Sequence, residues 1–77
     1  MASMIGNRIR LRRAVLRRSQ AWLADEVGVS VNTIGTWERG ETSPRIHDLP
    51  ALATALQTTD VWLVAGDVGD ADGREVG

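Results

Sequence analysis

Two serines and two glycines place the tightest limits on what this chain can fold into. Ser19 and Ser30 are residue types that accept the unpaired N–H groups at the start of a helix. Gly28 and Gly40 are the residues that most easily adopt the left-handed conformation ending one. Between these marks there is room for one short helix after Ser19, a tight turn at Gly28, and a second short helix stopping at Gly40. Apolar residues at helical spacing give each an inner face: Leu23, Ala24 and Val27 on the first, Ile34 and Trp37 on the second.

The rest of the chain reads as helix too. Residues 5–17 carry Ile5, Ile9 and Leu16 on one face, with Arg13 on its margin. Glu41-Thr42-Ser43-Pro44 is a loop. Pro50 suits the first turn of a fourth helix, capped by Asp48 or Leu49, with Leu52, Ala53 and Leu56 inward. Thr58 or Thr59 opens a short fifth helix holding Trp62 and Leu63 and closed by Gly66. No strand-like alternation and no internal repeat is present. The expected fold is all-α, five helices in one domain over 1–66. Residues 67–77, with three glycines and a net charge of −3, read as a disordered acidic tail.

A chain of 77 residues has one modest core. With no cysteine, neither disulfides nor a thiolate metal site can reinforce it. No apolar run approaches the roughly 18 residues of a membrane span, and the first residues lack a signal-peptide layout. The expectation is a cytoplasmic protein with no cofactor, no metal and no small-molecule substrate. No Ser/His/Asp set or metal-ligand spacing marks an enzyme; His47 stands alone, and Asp25-Glu26 reads as a solvated face.

Charge is distributed unevenly. Residues 1–45 hold eight arginines against four acids, a net +4, whereas residues 46–77 hold one arginine against six acids, a net −5. A basic half suits a polyanion while the acidic half faces away. Two short helices joined by a glycine turn form the unit that lays one helix across the DNA backbone and sets the next in the major groove.

The ordered set Ser19-Gln20, Leu23-Ala24, Val27-Gly28-Val29-Ser30, Ile34 and Trp37-Glu38-Arg39-Gly40, continued by Pro44, Leu49, Leu52-Ala53, Leu56, Trp62-Leu63 and Gly66, resembles the lambda-repressor/Cro-like, or Xre, helix-turn-helix family. The resemblance covers about residues 5–66. It implies five helices, usually acting as a homodimer on a two-fold double-stranded DNA operator. It assigns Gln20 to a phosphate and makes Ser30, Val31, Asn32 and Thr33 the leading turn of the recognition helix. By the chemistry of base edges, Asn32 suits adenine, Val31 a thymine methyl, and Thr36 either polar or methyl readout. Ser30, Thr33, Arg39 and Arg45 are expected on the DNA backbone, joined by Arg10 and Arg13 from the arginine run. Arg13 and Glu38 match positions that pair in some family members.

Some residues depart from the family pattern. Arg12, Arg18, Thr58 and Asp60 stand where apolar residues are commoner. Met4, Leu11 and Val15 lie opposite the inner face of the first helix, and Trp22 stands where a charged residue is usual. Either the first helix is rotated or Trp22 folds over Val15 and Arg18, covering the stripe, or Leu11, Val15 and Trp22 form a second, protein-binding surface. Val61 and Val64 lie where the family usually dimerises. The expected function is a sequence-specific transcriptional regulator of the phage Cro or immunity-repressor type, more readily a repressor than an activator. The alternatives are an antitoxin or restriction-system controller with a protein partner, or an interaction module that has lost DNA readout.

Overall fold

The computed structural model describes residues 4–66. Five helices follow one another: α1 Met4–Leu16, α2 Gln20–Val27, α3 Val31–Arg39, α4 Leu49–Leu56 and α5 Asp60–Ala65. Among the described residues there is no strand. No helix there is long and apolar enough to cross a membrane.

The caps explain where the helices start and stop. Ser19 Oγ accepts the Trp22 N–H at 3.0 Å, and Ser30 Oγ accepts the Thr33 N–H at 3.1 Å. Gly28 and Gly40 close α2 and α3 in the left-handed region, at φ 86° and 77°. Thr59, not Thr58, caps α5, accepting the Trp62 N–H at 3.1 Å. Asp48 precedes α4 but does not cap it with its side chain. It belongs to a 3₁₀ turn, Ile46–Asp48, where its carboxylate accepts the Arg45 N–H at 3.1 Å.

The core joins all five helices: Ile9 of α1, Leu23 of α2, Ile34 and Trp37 of α3, Leu52 and Leu56 of α4, and Leu63 of α5. Leu16 and Trp62, expected inward, are only half-buried. Leu16 ends α1 in a shallow surface cleft shared with Trp22. Gly6 sets how closely α1 approaches α3: a Cβ there would run into the Trp37 carbonyl oxygen and lie 2.8 Å from that of Glu38. The tail expected at 67–77 lies outside the described residues.

Candidate nucleic-acid interface

The second and third helices form a bihelical unit in which α2 and α3 pack against each other around Leu23, Ala24 and Ile34. Half-buried Val29 supports the turn from beneath. This leaves the leading turn of α3 on the surface, with Val31 and Asn32 both exposed. Neither carries a charge, so nothing there repels a base edge.

The hydroxyls around that turn are ordered. Ser30 Oγ and Thr33 Oγ1 lie 2.9 Å apart. One turn on from Asn32, half-buried Thr36 donates its hydroxyl to the Thr33 carbonyl at 2.8 Å, with Thr42 Oγ1 at 2.8 Å on its other side. Between the α2–α3 turn and the loop after α3 runs a polar cleft lined by Thr33, Thr42, Ser43, Arg45 and His47. Arg39 is exposed and paired with Glu41 at 2.9 Å. That contact raises the Arg39 pKa and holds the Glu41 carboxyl below its usual range.

Behind this face a buried clamp ties α1 to α3. Arg13 Nε donates to Glu38 Oε2 at 2.7 Å, and Nη2 donates to Oε1 at 2.9 Å, a two-pronged contact. Glu38 is 4% exposed and Arg13 17%. Gln20 Nε2 also donates to Glu38 Oε1, at 3.0 Å. Burial pushes the Glu38 carboxyl up, but the hydrogen bonds from Arg13 and Gln20, with the charges of Arg13 and Arg10, outweigh it. Its pKa is therefore lowered.

The structure thus sorts the residues singled out from the sequence. On a helix of 3.6 residues per turn Asn32, Thr33 and Thr36 fall on one side of α3, while Val31 is exposed at its first position on another. Gln20 opens α2, but its side-chain amide turns inward onto Glu38 rather than outward. Arg10 is exposed and donates to Asn7 Oδ1 at 3.1 Å. Leu11 and Val15 remain exposed at 55% and 58%. Trp22 does not share that exposure: it is half-buried against the core, with the Arg18 guanidinium 4.8 Å above its ring.

Two contacts of the arginine run were not foreseen. Arg8 Nη1 donates to the carbonyls of Leu63 and Val64 at 3.2 and 3.0 Å. Arg12 donates to those of Leu56 and Gln57 at 3.0 and 3.3 Å. These oxygens end α5 and α4, where a helix leaves carbonyls unpaired and carries partial negative charge. The one available signal was Arg12 standing at a position usually apolar.

Residues 5–63 match the helix-turn-helix domain family. The chain belongs to the Cro-like, or Xre, helix-turn-helix family. Over 69 residues, 90% of its length, it is 44% identical to repressor protein C2 of Salmonella phage P22. It is 40% identical over 63 residues to the transcriptional regulator DicA of Escherichia coli. The chain spans only 32% and 47% of those two proteins. Among solved structures, the P22 c2 repressor bound to a synthetic operator superposes with a TM-score of 0.80 at 46% identity, covering 84% of this chain and 98% of that one. The restriction-modification controller C.AhdI of Aeromonas hydrophila superposes at 0.73 with 32% identity, covering 78% and 91%. In this Cro-like frame α2 and α3 are the two helices of the helix-turn-helix.

Proposed function

We propose that the chain is a sequence-specific, double-stranded-DNA-binding transcriptional repressor of the phage-repressor type, acting as a dimer on a two-fold operator. The observation that carries this reading is the leading turn of α3: exposed, uncharged, and flanked by a polar cleft containing Arg45. Asn32 reads an adenine edge and Val31 packs on a thymine methyl. Thr33, Ser30 and Arg45 hold the backbone, and Arg39 reaches a phosphate by exchanging Glu41 for it. The α2 N-terminus at Gln20 offers unpaired backbone N–H groups to a further phosphate. Its carboxamide serves Glu38 meanwhile. Phosphate contacts set the register and the few base contacts set the sequence. The similarity to the operator-bound P22 repressor domain supports the same use of α3.

Dimerisation is supported by a shallow, mostly apolar groove lined by Leu49, Val61, Val64 and Ala65, with Asp60 at the same site. Val61 and Val64 are 63% and 56% exposed, and Ile46, in the preceding 3₁₀ turn, is 86% exposed. A second copy would cover them. Exposed Leu11 and Val15 favour the alternative of an antitoxin or controller that also holds a different protein. The small, uncharged recognition face disfavours a module without DNA readout.

The test is binding to operator DNA selected from a random pool, as a function of salt. With 6–10 phosphate contacts, affinity should fall by about 10³–10⁵ between 50 and 200 mM salt. Asn32→Ala should weaken specific binding by about 1–3 kcal/mol and spare nonspecific binding, whereas Arg45→Ala should weaken both. A flat salt response from folded protein sinks the reading.

A further inference from the structure

On the reading that α3 enters the major groove, we infer that His47 is a further contact to the DNA backbone, made when its imidazole carries a proton. His47 is the one histidine of the sequence, and nothing around it in the chain marks a role. The fold brings it to the polar cleft between the α2–α3 turn and the loop after α3, where Thr33, Thr42, Ser43 and Arg45 also line the surface. Three hydroxyls and a guanidinium are the donors that phosphate oxygens take. A strand whose base edges meet Asn32 carries its phosphates along the flank of α3, and this cleft runs along the flank that bears Thr33.

The ring is well placed to serve there. Its side chain is 73% exposed, and Nε2 lies 3.6 Å from Asp48 Oδ1, too far for a hydrogen bond. Asp48 is held more firmly: it is 18% exposed, and its Oδ2 accepts the Arg45 N–H at 3.1 Å. A neutral imidazole has one N–H, which serves Asp48 or a phosphate. A protonated one has two, with a positive charge, so one nitrogen can stay toward Asp48 while the other donates to a phosphate.

Arg45 and Asp48 are the charged groups that line the cleft with His47. Helix α4, against which the 3₁₀ turn packs, carries none. Arginine and carboxylate side chains ordinarily keep their charge across about pH 5–8, the window in which an imidazole changes its own. A phosphate favours the protonated ring, so binding takes up protons and affinity rises as pH falls through that window. Each protonated His47 that neutralises a phosphate steepens the salt slope by about 0.9, or about 1.8 in a dimer.

The experiment measures binding of the full chain to operator duplex selected from a random pool, against salt, at about pH 5.5 and about pH 8. Thermal unfolding at each pH confirms that every variant is folded. Wild type should show the steeper slope at the lower pH, and at about 0.1 M salt should bind about three- to tenfold more tightly there for each protomer engaged. His47→Gln should show the shallower slope at both pH values. His47→Arg, charged throughout, should show the steeper slope at both. A wild-type slope and affinity that do not change with pH, or a change that His47→Gln retains in full, overturns the inference alone. No salt-dependent binding by folded wild type at either pH overturns the DNA-reading proposal and the inference with it.

Discussion

Glu38→Ala tests whether the α1–α3 clamp holds the domain together. The substitution strands an Arg13 guanidinium that is only 17% exposed and leaves Gln20 Nε2 without its acceptor. Arg13 loses its bonds at 2.7 and 2.9 Å but keeps one to the Arg18 carbonyl at 2.9 Å. Breaking a buried pair by removing one partner costs about 3–5 kcal/mol. Water reaches part of Arg13, so the low end, about 3 kcal/mol, is the expected loss. In a domain of this size that lowers Tm by about 12–24 °C. Glu38→Gln keeps the shape and one acceptor oxygen, and should lose less. The pH dependence has a definite sign. The folded carboxyl titrates below its unfolded value of about 4.3, so between the two the unfolded chain binds more protons. The clamp contributes fully above about pH 4.3 and is lost as pH falls through the folded value. Thermal unfolding followed by circular dichroism, at neutral pH and through the acid range, measures both effects. A Tm change under about 3 °C in Glu38→Ala, or one acid profile shared by wild type and Glu38→Gln, would refute the reasoning.

Gly6→Ala should destabilise by about 1–3 kcal/mol, because the added Cβ meets backbone carbonyls of α3 that cannot swing aside; chemical denaturation measures it. Arg12→Ala uncovers the carbonyls ending α4 and should cost up to about 2 kcal/mol of stability with the salt dependence of DNA binding unchanged. Val64→Asp should leave the domain folded yet reduce self-association in analytical ultracentrifugation, since it places a charge on the mostly apolar groove of α5.

The starts of α2 and α3, their glycine ends and most of the core were legible in the sequence because each depends on local chemistry. A serine accepts an N–H three residues on, a glycine turns left-handed, and apolar residues repeat at helical spacing. The ends of α1 and α4 were not legible in this way. Arg17 and Gln57 both take φ 58°, a left-handed conformation that neither side chain advertises. The 3₁₀ turn at Ile46–Asp48 is equally quiet, since it depends on Asp48 reaching back to the Arg45 N–H. Gly6 carries no local mark of its role. Its reason, the closeness of Trp37 and Glu38, is a contact across some thirty residues of chain.

The arginines show the same division with a functional consequence. Six lie between positions 8 and 18, and by charge alone all could face DNA. Arg8 and Arg12 are committed to helix carbonyls, Arg13 to Glu38, and Arg18 to the ring of Trp22. Arg10 and Arg17 are both exposed. With Arg39 and Arg45 beside α3, about four arginines per protomer can meet phosphates without dismantling the fold, or about eight in a dimer; at about 0.9 per neutralised phosphate the salt slope is then about −7. A count from sequence, with all eight arginines of residues 1–45 engaged, would double it to about −14. A measured slope near the larger value would mean that the arginines holding α1 to α3, α4 and α5 leave those posts on DNA. A slope near the smaller one would mean that most of the basic run is architecture.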